Sequence, residues 1–159
     1  MPKLIMNEKF KKYLKESKRH LQIADHMTYI TYPLVNEKKL IIKIFEEIYK
    51  SLENSINAAI YYEFEKGNII LNSNNEKNLL IFFDTISKNY NLNEKELSKI
   101  KEIIEIEKKH KKSAVEFTKE EKVVMLSDNL KTQILTIDNI KEYLNLLKGI
   151  FLKISKVYI

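Results

Sequence analysis

Residues that interrupt helices are almost absent from this 159-residue chain, which has two glycines and two prolines. Glycine and proline are the strongest local punctuation of helices and strands, so the few present should mark real boundaries and the segments between them should be long. Asn7 is placed to cap a first helix running to about Tyr32, where Pro33 disfavours helical geometry in the residue before it. Asn36 is placed to cap a second, with Ile41, Ile44, Phe45, Ile48, Leu52, Ile56 and Ala59 at three- and four-residue spacing and Gly67 at its end. An Asn-rich connector at 72–75 precedes a shorter helix with Leu79, Leu80, Phe82, Phe83 and Ile86. Asn93 then opens a fourth, with Leu97, Ile100, Ile103, Ile104 and Ile106 as its apolar positions.

From about Val115 the period changes. The stretches Lys122 to Ser127 and Lys131 to Thr136 are β-branched and apolar with Asp128-Asn129 between them, which predicts a two-stranded hairpin. Thr136 or Asp138 can cap a last helix striped by Ile140, Tyr143, Leu144, Leu147, Ile150, Phe151, Ile154 and Tyr158. Gly149 lies inside that stripe, and an interior glycine weakens a helix, so close packing against a neighbour is its expected return. The pattern predicts a mainly α fold: one domain over residues 1–159, an antiparallel bundle of about five helices, with a small β-hairpin inserted at about 115–136 before the last helix.

The chain has no cysteine, which removes disulfides, thiolate chemistry and sulfur-ligated metal sites. No apolar run reaches membrane-spanning length and no signal-peptide core follows Met1, so the expectation is a cytoplasmic protein without a membrane partner. The formal charge of +6 favours anionic partners. The bias toward Lys, Asn and Ile also inflates lysine without any binding role.

Arg19 is the sole arginine, and His20 and His26 are two of the three histidines. A guanidinium presents a planar fork of donors that lysine cannot copy, which suits phosphate or carboxylate. On a helix, residues seven apart lie at nearly one azimuth and about 10 Å apart along the axis, so Arg19 and His26 share an edge. Phe10, Leu14, Leu21, Ala24 and Thr28 face the expected core, and Tyr13, His20 and Met27 its margin, which makes His20 half-buried. Asp25 and Tyr29, four apart, can meet beside that edge.

Arginine, six residues, then histidine resembles the Arg-x(4–6)-His signature of HEPN proteins, helical bundles that include many endoribonucleases and RNA-associated toxins. The resemblance covers the helical outline and this motif. It implies a catalytic pair, with Arg19 holding the scissile phosphate and His26 acting as acid or base at the ribose 2′-hydroxyl; His20, Asp25 and Tyr29 are supporting candidates by their position near that edge, not by the resemblance. In that family the motif usually lies in a late helix, whereas here it lies in the first. The stretch from His110 to Phe117 is similar to segments of small archaeal proteins and implies no activity.

Glu107 and His110 form a Glu-x-x-His unit, but di-iron bundles need a second such pair and none occurs, so no metal or cofactor is expected. Lys108, Lys109, Lys111 and Lys112 around His110 form a basic helix end, the candidate RNA-binding segment, although lysines there also suit the helix dipole. Tyr61 and Tyr62 have the chemistry to stack on bases. The leading expectation is an RNA-associated protein, with catalysis as metal-independent RNA cleavage. The alternative is a non-catalytic helical interaction or dimerisation module, and a homodimer fits either.

Overall fold

A computed structural model describes the backbone of residues 2–113, 115–126 and 132–156, and the side chains of 9–113, 116–126 and 132–156. Its first rod does not stop at Tyr32. Helix α1 (Pro2–His26) continues through a π-helical turn (Met27–Thr31) into a short α2 (Tyr32–Val35), with Pro33 inside the helical path. An α-helix would drive the Pro33 ring into the carbonyl four residues back and leave that carbonyl without its donor. The wide turn opens the helix just before the ring: the Tyr32 N–H donates to Met27 O, five residues back. Asn36, expected to open the second helix, instead closes the first, with φ 52° and its N–H on Tyr32 O at 2.7 Å. Asparagine tolerates the left-handed region better than most residues, which is why it serves at this end. Asn7 is not a cap either, because α1 already begins at Pro2.

Helix α3 (Lys39–Glu65) is the central rod. Ile41, Ile44, Phe45, Ile48 and Leu52 are all fully buried on it, each such side chain contributing about 1.5–3 kcal/mol of transfer free energy. Gly67 ends it at φ 75°, with Gly67 N–H on Phe64 O and Asn68 N–H on Glu63 O, both at 3.0 Å. Asn74 caps α4 (Asn75–Asp84) by accepting from Glu76 N–H. Ile86, expected in this helix, instead sits in a 3₁₀ turn (Ile86–Tyr90), and Leu80 points to solvent. Asn93 caps α5 (Glu94–Lys112) in a reciprocal box with Glu96.

The expected hairpin is a three-stranded antiparallel sheet, ordered β1 (Val115–Lys119), β2 (Lys122–Leu126), β3 (Thr132–Thr136). The extra strand turns at Glu120-Glu121, with Glu120 at φ 54°, a pair that carries none of the usual turn chemistry. Val123, Met125 and Leu135 face the core. The outer face carries a row, Phe117, Val124 and Ile134, in direct register. Ser127, Asp128, Asn129, Lys131 and Tyr158 lie outside the described residues. Thr136 caps α6 (Ile137–Lys156), exchanging hydrogen bonds with Asn139. On α6, Ile140, Leu144, Leu147, Ile150 and Ile154 are fully buried. Gly149 is not at a close approach: a Cβ there would meet nothing within 4 Å.

Candidate functional site

The α1–α3 interface fixes which way α1 presents its polar groups. Ser17 packs its hydroxyl against Ser51 and Ser55 of α3, at 3.0 and 2.6 Å between oxygens, and these small side chains let the helices sit close. Residues 17, 21, 24 and 28 then face inward and are buried. Arg19 and His26 fall on the opposite side of the helix, about 20° apart in azimuth, and both are exposed.

Arg19 does not reach toward His26. Its guanidinium leans back along the helix, donating through Nε and Nη2 to Glu16 Oε2 at 3.1 and 2.9 Å. That contact holds Glu16 below the usual carboxylate range and raises Arg19 further above neutrality, so the arginine stays charged. Exposed pairs of this kind hold weakly, and a phosphate can displace the carboxylate.

His20, 9% exposed, sits at the core margin as the spacing predicts. Its Nδ1 lies 2.5 Å from Glu47 Oε2 on α3, and its Nε2 lies 3.2 Å from Arg19 Nη2. The buried imidazole is therefore tied on both nitrogens and braces the guanidinium end of the Arg19 side chain. Asp25 and Tyr29 come together with α6: Lys148 pairs with Asp25 at 2.5 Å, and the ammonium groups of Lys148 and Lys141 lie 5.6 and 5.8 Å from the Tyr29 ring centroid. These two face the α6 side of α1 and do not touch Arg19.

Lys108, Lys109, Lys111 and Lys112 are all exposed at the end of α5 beside the sheet. Lys109 reaches Gln133 of β3 at 3.4 Å. His110 is pulled inward instead, between Glu46 Oε1 at 3.2 Å from Nε2 and Glu116 Oε1 at 2.9 Å from Nδ1, the latter without hydrogen-bond alignment. Glu107 is 7% exposed, and burial raises its carboxyl above the usual range, against the smaller opposing pull of His110 and Lys111. The Glu107/His110 unit is thus an interior feature rather than a solvated helix end. Among the described residues, no group of three or more His, Asp or Glu is arranged to hold a metal ion.

A cavity of about 330 Å³ between α1, α3, α4 and α5 did not emerge from motif reading. Tyr49, Glu53, Asn57 and Tyr61 line it from α3 at a spacing of four, which was the signal available in the sequence. Tyr13 of α1 stacks on Tyr61, with ring centroids 5.2 Å apart. Burial, with the charges of Glu53 and Glu107, pushes the Tyr49 hydroxyl up to about 12. Tyr62 instead packs edge-on against Phe10 at 5.3 Å. No family model, curated protein or solved structure matches this chain. Among the described residues, no helix is long and apolar enough to cross a membrane.

Proposed function

We propose that the protein is an RNA-associated helical bundle, similar to HEPN proteins, that cleaves RNA without a metal when two copies pair through the outward face of α1 and α2. The observation that carries this reading is the composition of that face. Arg19 and His26 share its azimuth with Ile30, and it runs on into Leu34 and Val35, which are 50%, 80% and 55% exposed. A row of exposed apolar side chains marks an interaction surface. Pairing would cover it and set the Arg19 of one copy near the His26 of the other, a meeting that one chain does not make because Arg19 leans away.

In such a site His26 would take the proton of a ribose 2′-hydroxyl as that oxygen attacks the adjacent phosphorus. Arg19 would stabilise the added negative charge on the phosphate oxygens, and the 5′-oxygen would leave with a proton from solvent, giving a 2′,3′-cyclic phosphate, while the His26 imidazolium returns its proton to solvent. Lys108, Lys109, Lys111 and Lys112 would supply affinity without sequence preference. The second reading, a non-catalytic interaction or dimerisation module, is favoured by the occupation of Arg19 by Glu16.

The test is cleavage of single-stranded RNA by the purified protein in the presence of a chelator. Arg19→Lys and His26→Ala should each remove most activity, and the double variant should be little worse than either, because both groups serve one step. Cleavage that persists in the double variant removes the assignment. RNA binding with no cleavage by the natural chain leaves the non-catalytic reading.

A further inference from the structure

The tyrosine-lined cavity differs in charge from the protein around it. The chain has 28 lysine and arginine residues against 22 acidic ones, yet among the described residues the cavity is lined by no lysine, arginine or histidine, and Glu53 stands at its rim. No cationic residue of the lining is there to pair with a phosphate or carboxylate, although the Lys9 ammonium stands over the Tyr61 ring. Tyr49, Glu53, Asn57 and Tyr61 succeed one another along about 18 Å of α3, with the carboxylate between the two rings. Tyr13 and Tyr61, their planes 30° apart, extend one end into a double aromatic wall.

The faces of aromatic rings carry negative potential and attract cations, most strongly where water is partly excluded. Tyr61 already does so within the chain: the Lys9 ammonium lies 4.8 Å from its ring centroid. A nucleobase fits less well. Of the asparagine amides in the lining, the buried one of Asn78 is committed to Asn72, accepting from its N–H at 2.9 Å and donating to its carbonyl at 2.8 Å. The cavity's size is at the lower end of the roughly 300–1,000 Å³ typical of small-molecule sites. We propose that this cavity binds a small organic cation, an amine or methylated ammonium, held by the aromatic lining and paired with Glu53. The site is separate from the RNA-facing residues and does not depend on the function proposed for them.

Choline, tetramethylammonium and spermidine are the probes, titrated by calorimetry and by amide chemical shifts, with adenosine as the neutral aromatic comparison. At least one ammonium probe should bind with a Kd below about 1 mM, shifting amides of α3 and α4 near the cavity. Glu53→Gln and Tyr61→Leu should each weaken that binding by about threefold to thirtyfold. Circular dichroism establishes that each variant is folded, and Glu53→Gln, at an exposed position, isolates the charge from any packing change. No saturable binding of any ammonium probe to about 10 mM overturns the proposal. So does binding that neither Glu53→Gln nor Tyr61→Leu weakens, or tighter binding of adenosine than of every cation.

Discussion

Replacing Gly149 with alanine should stabilise the protein, although the sequence alone suggests the reverse. Gly149 lies within α6, between the fully buried Leu147 and Ile150, where an added methyl would be expected to collide. The structure leaves space: a Cβ at this position meets nothing within 4 Å, and φ is not in the left-handed region. The steric cost is therefore absent and the backbone entropy of glycine is the remaining contribution. Glycine in a helix interior costs roughly 0.5–1 kcal/mol relative to alanine, mostly because the unfolded chain has more freedom to lose. For a domain of this size, that corresponds to a rise in Tm of about 1–4 °C. Urea titration followed by circular dichroism should show a higher midpoint at unchanged m-value, and calorimetry a matching shift in Tm. A loss of stability of about 0.5 kcal/mol or more would mean the methyl strikes something, and the packing assigned to this face of α6 would be wrong.

Ile48→Asp or Leu147→Asp should unfold the domain or destabilise it by several kcal/mol, about 3 or more, because each places an unpaired charge at a fully buried position; near-natural melting of either would refute the core. Glu107→Gln should raise Tm at neutral pH. The folded carboxyl is held above its ordinary range by burial, so the folded chain binds its proton more tightly and stability falls as pH rises from the unfolded value through the folded one. The gain should shrink toward zero below about pH 4, where both states are protonated, and an equal gain at both pH values would contradict the burial argument.

The helices were legible where an apolar stripe and a cap coincide. α3, α5 and α6 carry both a long stripe and a usable end: Gly67 in the left-handed region, the Asn93/Glu96 box, and Thr136 with Asn139. Local rules failed where the neighbourhood compensates for them. Pro33 does not stop the first rod because a π turn absorbs its ring, and no single residue announces that turn. Strand β1 was missed because its turn is Glu120-Glu121, while Asn36, a good cap in isolation, has its role set by the helix before it. On the candidate site, spacing was enough to put Arg19 and His26 on one edge and His20 at the core margin. It could not show that Arg19 would turn toward Glu16, which depends on a rotamer, nor that Tyr13 would meet Tyr61 across 48 residues, which depends on how α1 packs on α3.

Association with RNA is tested most directly by measuring binding to an unstructured single-stranded RNA as a function of salt, for the natural chain and for a variant with Lys108, Lys109, Lys111 and Lys112 replaced by alanine. Binding should be detectable at low salt and weaken as salt rises. The logarithmic slope of the variant should be shallower by up to about three, at roughly 0.7 for each phosphate that the removed lysines neutralise. The same slope in both proteins would remove these lysines from the interface, and no binding by the natural chain at low salt would contradict the RNA-associated reading itself.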